Sequence, residues 1–194
     1  ARGMVSERVS LIARYMKTKD SFRCPGDKQL LRAGNRTFPR PRAYGMNVFT
    51  GWTPDRITGT TYHNEPNNRA KVFRKVSEVD RPSDIFVFGE LHPFSICQPQ
   101  FGTHPRWDNQ GNPTGANSSY HVPGNQHGRS SIFSFADGHA ENKRWQSAKF
   151  NNPGVRPLAE NDGFWHGSHG GTPLPGVSAA EVMNDFKWLH SRAS

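Results

Sequence analysis

Cysteine is scarce in this sequence, long apolar runs are missing, and the short motifs of the common enzyme classes are not found. The 194 residues include two cysteines, Cys24 and Cys97, and neither belongs to a C-x-x-C pair. One chain therefore cannot supply a four-thiolate zinc site. No stretch approaches the roughly 18 consecutive apolar residues of a membrane-spanning helix. Ala1 to Ser10 also lack the basic start and apolar stretch of a secretory signal. Composition leaves two readings open, a cytosolic chain and one processed or trimmed at its front.

Catalytic signals are equally thin. Ser130, Ser131 and Ser134 lie near His127 in sequence, but no G-x-S-x-G elbow presents any of them. Cys97, between Ile96 and Gln98, has no basic neighbour to lower its pKa. Glu90 and His92 could pair as acid and base, yet they fit better as the end of a strand. No glycine-rich phosphate loop occurs. No enzyme and no small-molecule substrate are expected.

What is abundant is turn chemistry and aromatic bulk. Nineteen Gly and fifteen Pro point to long loops, and only 33% of residues are hydrophobic. The mean hydropathy is -0.80. Thirteen Phe and five Trp compensate, because each buried ring removes a large area from water. The formal charge of +9 sits in the first 80 residues, and its densest part is Lys28, Arg32, Arg36, Arg40 and Arg42. Such a stripe binds an anionic surface, or forms a solvated face or half of a charge-complementary subunit contact. Nucleic acid is the less favoured of these partners.

The patterning predicts a single α+β domain over 1–194. An N-terminal helix (1–20) packs on an antiparallel sheet with long Gly/Pro-rich loops (21–150), and a loop and helix close the chain (151–194). Val5, Val9, Ile12 and Met16, flanked by Leu11 and Tyr15, give residues 4–17 a helical stripe. Strands are expected at 43–49, 70–76 and 85–88. Asp137-Gly138 between two strand-like runs predicts a β-hairpin over 131–145 with a two-residue loop. That loop pairs Phe135 with Ala140 and Ala136 with His139. It puts Phe133, Phe135 and Ala140 on one face, and Ser134, His139, Glu141 and Lys143 on the other. Ser178, with Glu181 three residues on, opens a closing helix that presents Val182, Phe186 and Leu189, with Trp188 beside them.

These pieces add up to a resemblance. His127, nine residues, then Asp137-Gly138 is similar to a signature of prepilin-type proteins of the planctomycete and verrucomicrobial kind, relatives of type II secretion pseudopilins. Phe22-Arg-Cys-Pro-Gly-Asp27, Arg42-Ala-Tyr-Gly-Met-Asn47 and the run Pro82 to Glu90 resemble further elements of that family. So do Ser119-Tyr-His121, Phe133 to Glu141, and Asn184 to Leu189, all in order across 22–189. The family's basic leader, processing site and long apolar helix are not matched. The resemblance implies a pilin-like head domain, a structural subunit of a pilus- or pseudopilus-like filament or surface assembly. It implies a place outside the cytoplasm, extracellular, at the cell surface or periplasmic, with the membrane met only through the missing N-terminal helix. The partners would be copies of the chain or sister subunits. The alternative is an extracellular module binding an anionic polymer or a glycan.

The resemblance also implies a Cys24–Cys97 disulfide, which would stabilise the fold by roughly 4 kcal/mol in the chain-entropy model; the alternative is two unpaired buried thiols. The signature residues His127, Asp137, Gly138, His139 and Glu141 have two readings. They fix the hairpin by hydrogen bonding, or His127, Asp137, His139 and Glu141 ligate a metal. Calcium enters only because related major pseudopilins use it in a C-terminal loop, without a residue match here. His166 and His169 are weak zinc evidence. The glycine-rich loop that holds them, with Phe164 and Trp165, suits an adhesive subunit contact.

Overall fold

The computed structural model describes residues 6, 8, 12–16, 18–51, 71–93, 100–101, 103–104, 118–119, 121, 123–146 and 179–193. The chain divides into two compact units, Ala1–Tyr44 and Gly45–Ser194.

In the first unit the expected helix over 4–17 is not found among the described residues. Ala13–Tyr15 form one 3-10 turn, and Met16 is already extended. Tyr15, which an amphipathic helix would have turned inward, is 77% exposed. A stripe of four apolar positions cannot offset the cost of helix nucleation unless tertiary packing covers it. A second 3-10 turn, Lys19–Phe22, is capped by the Thr18 hydroxyl accepting from the Asp20 N–H. Beyond it β1 (Leu30–Ala33) pairs antiparallel with β2 (Arg36–Pro39). Gly34 opens their two-residue loop at φ +58°, a conformation that glycine adopts without strain.

The second unit is built on a five-stranded sheet. Besides β3 (Tyr44–Asn47) and β4 (Phe86–Glu90), the strands are β5 (Gln100–Phe101), β6 (Thr103–His104), β7 (Ser118–Ser119), β8 (Ser130–Phe135) and β9 (Ala140–Arg144). The sheet order is β5-β3-β4-β8-β9, and β6-β7 form a separate antiparallel pair. β4–β8 and β8–β9 run antiparallel, while β3–β5 run parallel. The strands expected near 43–49 and 85–88 are β3 and β4. The strand expected at 70–76 shrinks to a single bridge, Phe73 to Thr50, before a 3-10 turn at Val76–Glu78. The Glu78 carboxylate accepts from the Arg74 and Lys75 N–H groups, which a continuing ladder would have used.

One α-helix is present among the described residues, α1 (Ala179–Ala193) at the C terminus. Phe186 and Leu189 enter the core as their spacing predicts, with Trp188 half-buried beside them. The predicted cap at Ser178 lies outside the described residues. The core is aromatic. Phe133 meets Phe86, Trp188 and Trp145 edge-on at 5.2, 5.0 and 6.0 Å between ring centroids. Each fully buried ring of this kind contributes about 1.5–3 kcal/mol. Gly89 lies so close to these rings that a Cβ there would come within 2.7 Å of Phe133 and 2.8 Å of Phe101.

Candidate functional site

The hairpin that carries the signature is present, one residue out of the expected register. Ser134 pairs with Ala140 and Phe133 with Glu141. The Gly138 N–H donates to the Phe135 carbonyl at 3.0 Å, and the Phe135 N–H donates to the His139 carbonyl at 2.9 Å. Gly138 is at φ +95°, while Asp137 is not in the left-handed region. The loop is therefore three residues, a turn through Ala136-Asp137 followed by a left-handed glycine, and not a two-residue Asp-Gly loop. A slip of one residue exchanges the faces of the second strand. Glu141 and Lys143 turn toward the side of Phe133, and Ala140 is exposed, the reverse of the expected assignment. Phe133 and Phe135 are buried as expected.

Asp137 and His139 form an exposed pair at the hairpin tip. The Asp137 carboxylate accepts from the His139 backbone N–H at 3.1 Å and lies 2.6 Å from its Nδ1. The His139 backbone N–H, then its ring, hold the Asp137 carboxyl below its ordinary pKa. The imidazole stacks on Phe135 at 4.4 Å, nearly parallel. These contacts brace the turn.

His127 belongs to a different place. Its Nε2 lies 3.2 Å from the carboxylate of Glu90, which is fully buried at the end of β4. The second oxygen of Glu90 accepts from the Ile132 N–H at 3.4 Å. Gly124 lies against Glu90, so that a Cβ on Gly124 would come within 2.9 Å of the Glu90 Cγ. The Gly124 N–H donates to the Glu90 carbonyl, and its own carbonyl accepts from both the Ser131 hydroxyl and the Trp145 indole N–H. The indole N–H also lies 2.9 Å from the Ser131 oxygen. The turn that follows His127 passes through two consecutive left-handed residues, Gly128 and Arg129. β4, β8 and the end of β9 thus converge on a buried polar knot that fixes the loop entering the hairpin.

The metal set read from sequence is not gathered at one point. His127 precedes β8 and Asp137 follows it, and a six-residue strand spans about 20 Å. Glu141 faces the side of Phe133, and only Asp137 and His139 touch. Phe164, Trp165, His166, His169 and Cys97 lie outside the described residues, and so does any pairing of Cys97 with the buried Cys24.

The basic stripe is divided. Arg32 and Arg36 are exposed on β1 and β2, and Lys28 reaches the Pro25 carbonyl at 3.0 Å. Arg40, by contrast, is buried, with its Nε 3.5 Å from the equally buried carboxylate of Asp27. Burial pushes the Arg40 pKa down and Asp27 pulls it back up. Arg42 is half-buried. The stripe holds no acid of its own, but Asp27, the residue before it, takes one of its cations inside.

Two residues have roles that local sequence pattern does not show. Asn47 holds β3, β4 and α1 together through its amide, and Asp185 on α1 anchors Lys143 at 3.2 Å. Glu90 ends β4 as its sequence context predicts, and its carboxylate lies 3.2 Å from the His127 Nε2. The β1–β2 hairpin escaped the sequence reading, although Gly34-Asn35 between two short runs is a hairpin signal. No helix among the described residues is long and apolar enough to cross a membrane. No family model matches the chain, and neither a curated protein nor a solved structure does.

Proposed function

We propose that the chain is a non-enzymatic structural subunit, a pilin-like head domain that assembles with copies of itself or sister subunits outside the cytoplasm. The observation that carries the reading is how the signature residues are used. His127 faces the carboxylate of Glu90, Ser131 is tied between Gly124 and Trp145, and Asp137 braces the turn with His139. Groups that could act as base or nucleophile are spent on fixing a hairpin and the loop before it. A building block needs such rigidity, because a floppy surface loses ordering entropy at every contact it makes.

The second reading is an extracellular binding module for an anionic polymer. Arg32 and Arg36 on the exposed β1–β2 ribbon favour it, and the loss of Arg40 to Asp27 weakens it. Electron microscopy of native material, labelled with an antibody to this chain, separates the two. A subunit decorates ordered filaments or arrays. A binding module is found dispersed, and its retention on heparin falls steeply with salt.

A further inference from the structure

β9 is the terminal strand of the sheet among the described residues, paired to β8 on one side only. Its hydrogen-bonding phase follows from the two ends of the ladder. The His139 carbonyl accepts from Phe135, and the Trp145 N–H donates to the Arg129 carbonyl. Bonding residues alternate in an antiparallel pair, so Glu141 and Lys143 also point their backbone groups at β8. Ala140, Asn142 and Arg144 turn their N–H and C=O groups to the edge that no described strand covers. All three are exposed.

The side chains of β9 are arranged with matching logic. Glu141 and Lys143, of opposite charge, flank Asn142 on one face. Glu141 has no ion-pair partner among the described residues. Lys143, its side chain 11% exposed, gives one of its three donors to Asp185 and lies over the Trp145 and Trp188 rings. We propose that β9 is the contact between two copies of this chain, each strand pairing antiparallel with its counterpart about a twofold axis through Asn142. Asn142 then faces Asn142 of the second copy, and Ala140 faces Arg144. Both are hydrogen-bonded pairs, which gives about six backbone bonds across the axis. Glu141 faces Lys143 of the second copy in the closer, non-bonded position, with Cα atoms about 4.5 Å apart. One sequence therefore satisfies the phase of the hydrogen bonds and the sign of the charges at once. The interface is isologous, as closed two-subunit contacts are.

The inference rests on the self-assembly reading only in choosing a second copy as the occupant. Its test uses the full chain in sedimentation velocity, with cysteine variants examined after mild oxidation. Asn142→Cys places two thiols across the axis and should give a covalent dimer. Arg144→Cys should not, because its counterpart lies four residues away along the paired strands. Asn142→Pro removes an outward N–H without touching the β8 ladder, and should raise the dimer Kd about tenfold or more. Equal cross-linking by both cysteine variants, or by neither, overturns the pairing. An unchanged Kd in a folded Asn142→Pro variant does the same. Filaments that still form from that variant would overturn the β9 contact and leave the assembly reading standing. A parent chain that never self-associates would overturn both.

Discussion

Asn47 and Ala193 stand 146 residues apart in the chain and are joined by a buried 2.8 Å hydrogen bond from the Asn47 amide to the Ala193 carbonyl. The same Nδ2 donates to the Phe86 carbonyl at 2.8 Å, and Oδ1 accepts from the Phe49 N–H at 3.0 Å. One side chain thus serves the end of β3, the start of β4 and the last turn of α1, whose final carbonyls have no partners within the helix. Asn47→Leu would leave two carbonyls and an N–H buried without it. We expect a loss of about 3 kcal/mol, read as a lower urea midpoint. A midpoint unchanged within error would mean that the helix is held by its apolar face alone.

Gly138 is the residue on which the hairpin loop depends. It sits at φ +95° with nothing within 4 Å of where a Cβ would be, so the cost of substitution is conformational and not steric. Gly138→Val should destabilise the domain by about 1–2 kcal/mol, and Gly138→Asn by less, since asparagine tolerates the left-handed region. Identical melting temperatures for both variants and the parent would contradict the assignment.

Acid should loosen the same turn. The His139 backbone N–H, then its side chain, depress the folded-state pKa of Asp137. A depressed carboxyl stabilises the fold above its unfolded pKa, and that contribution fades as pH falls through the folded value. Nuclear magnetic resonance titration should find the Asp137 midpoint below the usual aspartate range. His139→Ala should raise it toward that range, through loss of the ring contact. No change on removing the ring would show that the backbone N–H acts alone.

Asp27 and Arg40 form the buried ion pair of the first unit. Asp27→Ala leaves a buried guanidinium without its carboxylate and should cost about 3–5 kcal/mol. Adding Arg40→Met should restore much of the loss, because a well-packed apolar pair often replaces a buried ion pair without penalty. Thermal melts of the single and double variants decide this. A double variant no more stable than the single would show that the pair is not independently dispensable.

The sequence located the hairpin but not its phase, and the reason is specific. Ala140 to Arg144 contain no large apolar side chain, so nothing within the strand says which face is inward. The missing cue was Trp145, which shares its face with Glu141 and Lys143 and is buried to 2% exposure. Placing that ring inside fixes the observed register and brings Lys143 to 5.5 Å from the Trp145 and Trp188 rings. The closing helix was legible because Phe186 and Leu189 repeat at helical spacing over a long stretch. The front helix was not, because its periodicity says nothing about whether a partner surface exists. Asn47 and Glu90 were illegible as anchors for a further reason. Their partners, Ala193 and His127, are distant in sequence, and local patterning carries no information about such pairs.

The proposed role is that of a building block, held to its neighbours by its own surface. Sedimentation velocity of the intact protein over a wide concentration range, at low and at high salt, tests it most directly. The account predicts species that grow with concentration and reach the dimer or beyond. A protein that stays monomeric at every concentration, yet binds an anionic polymer in a salt-sensitive manner, would contradict it and favour the binding module.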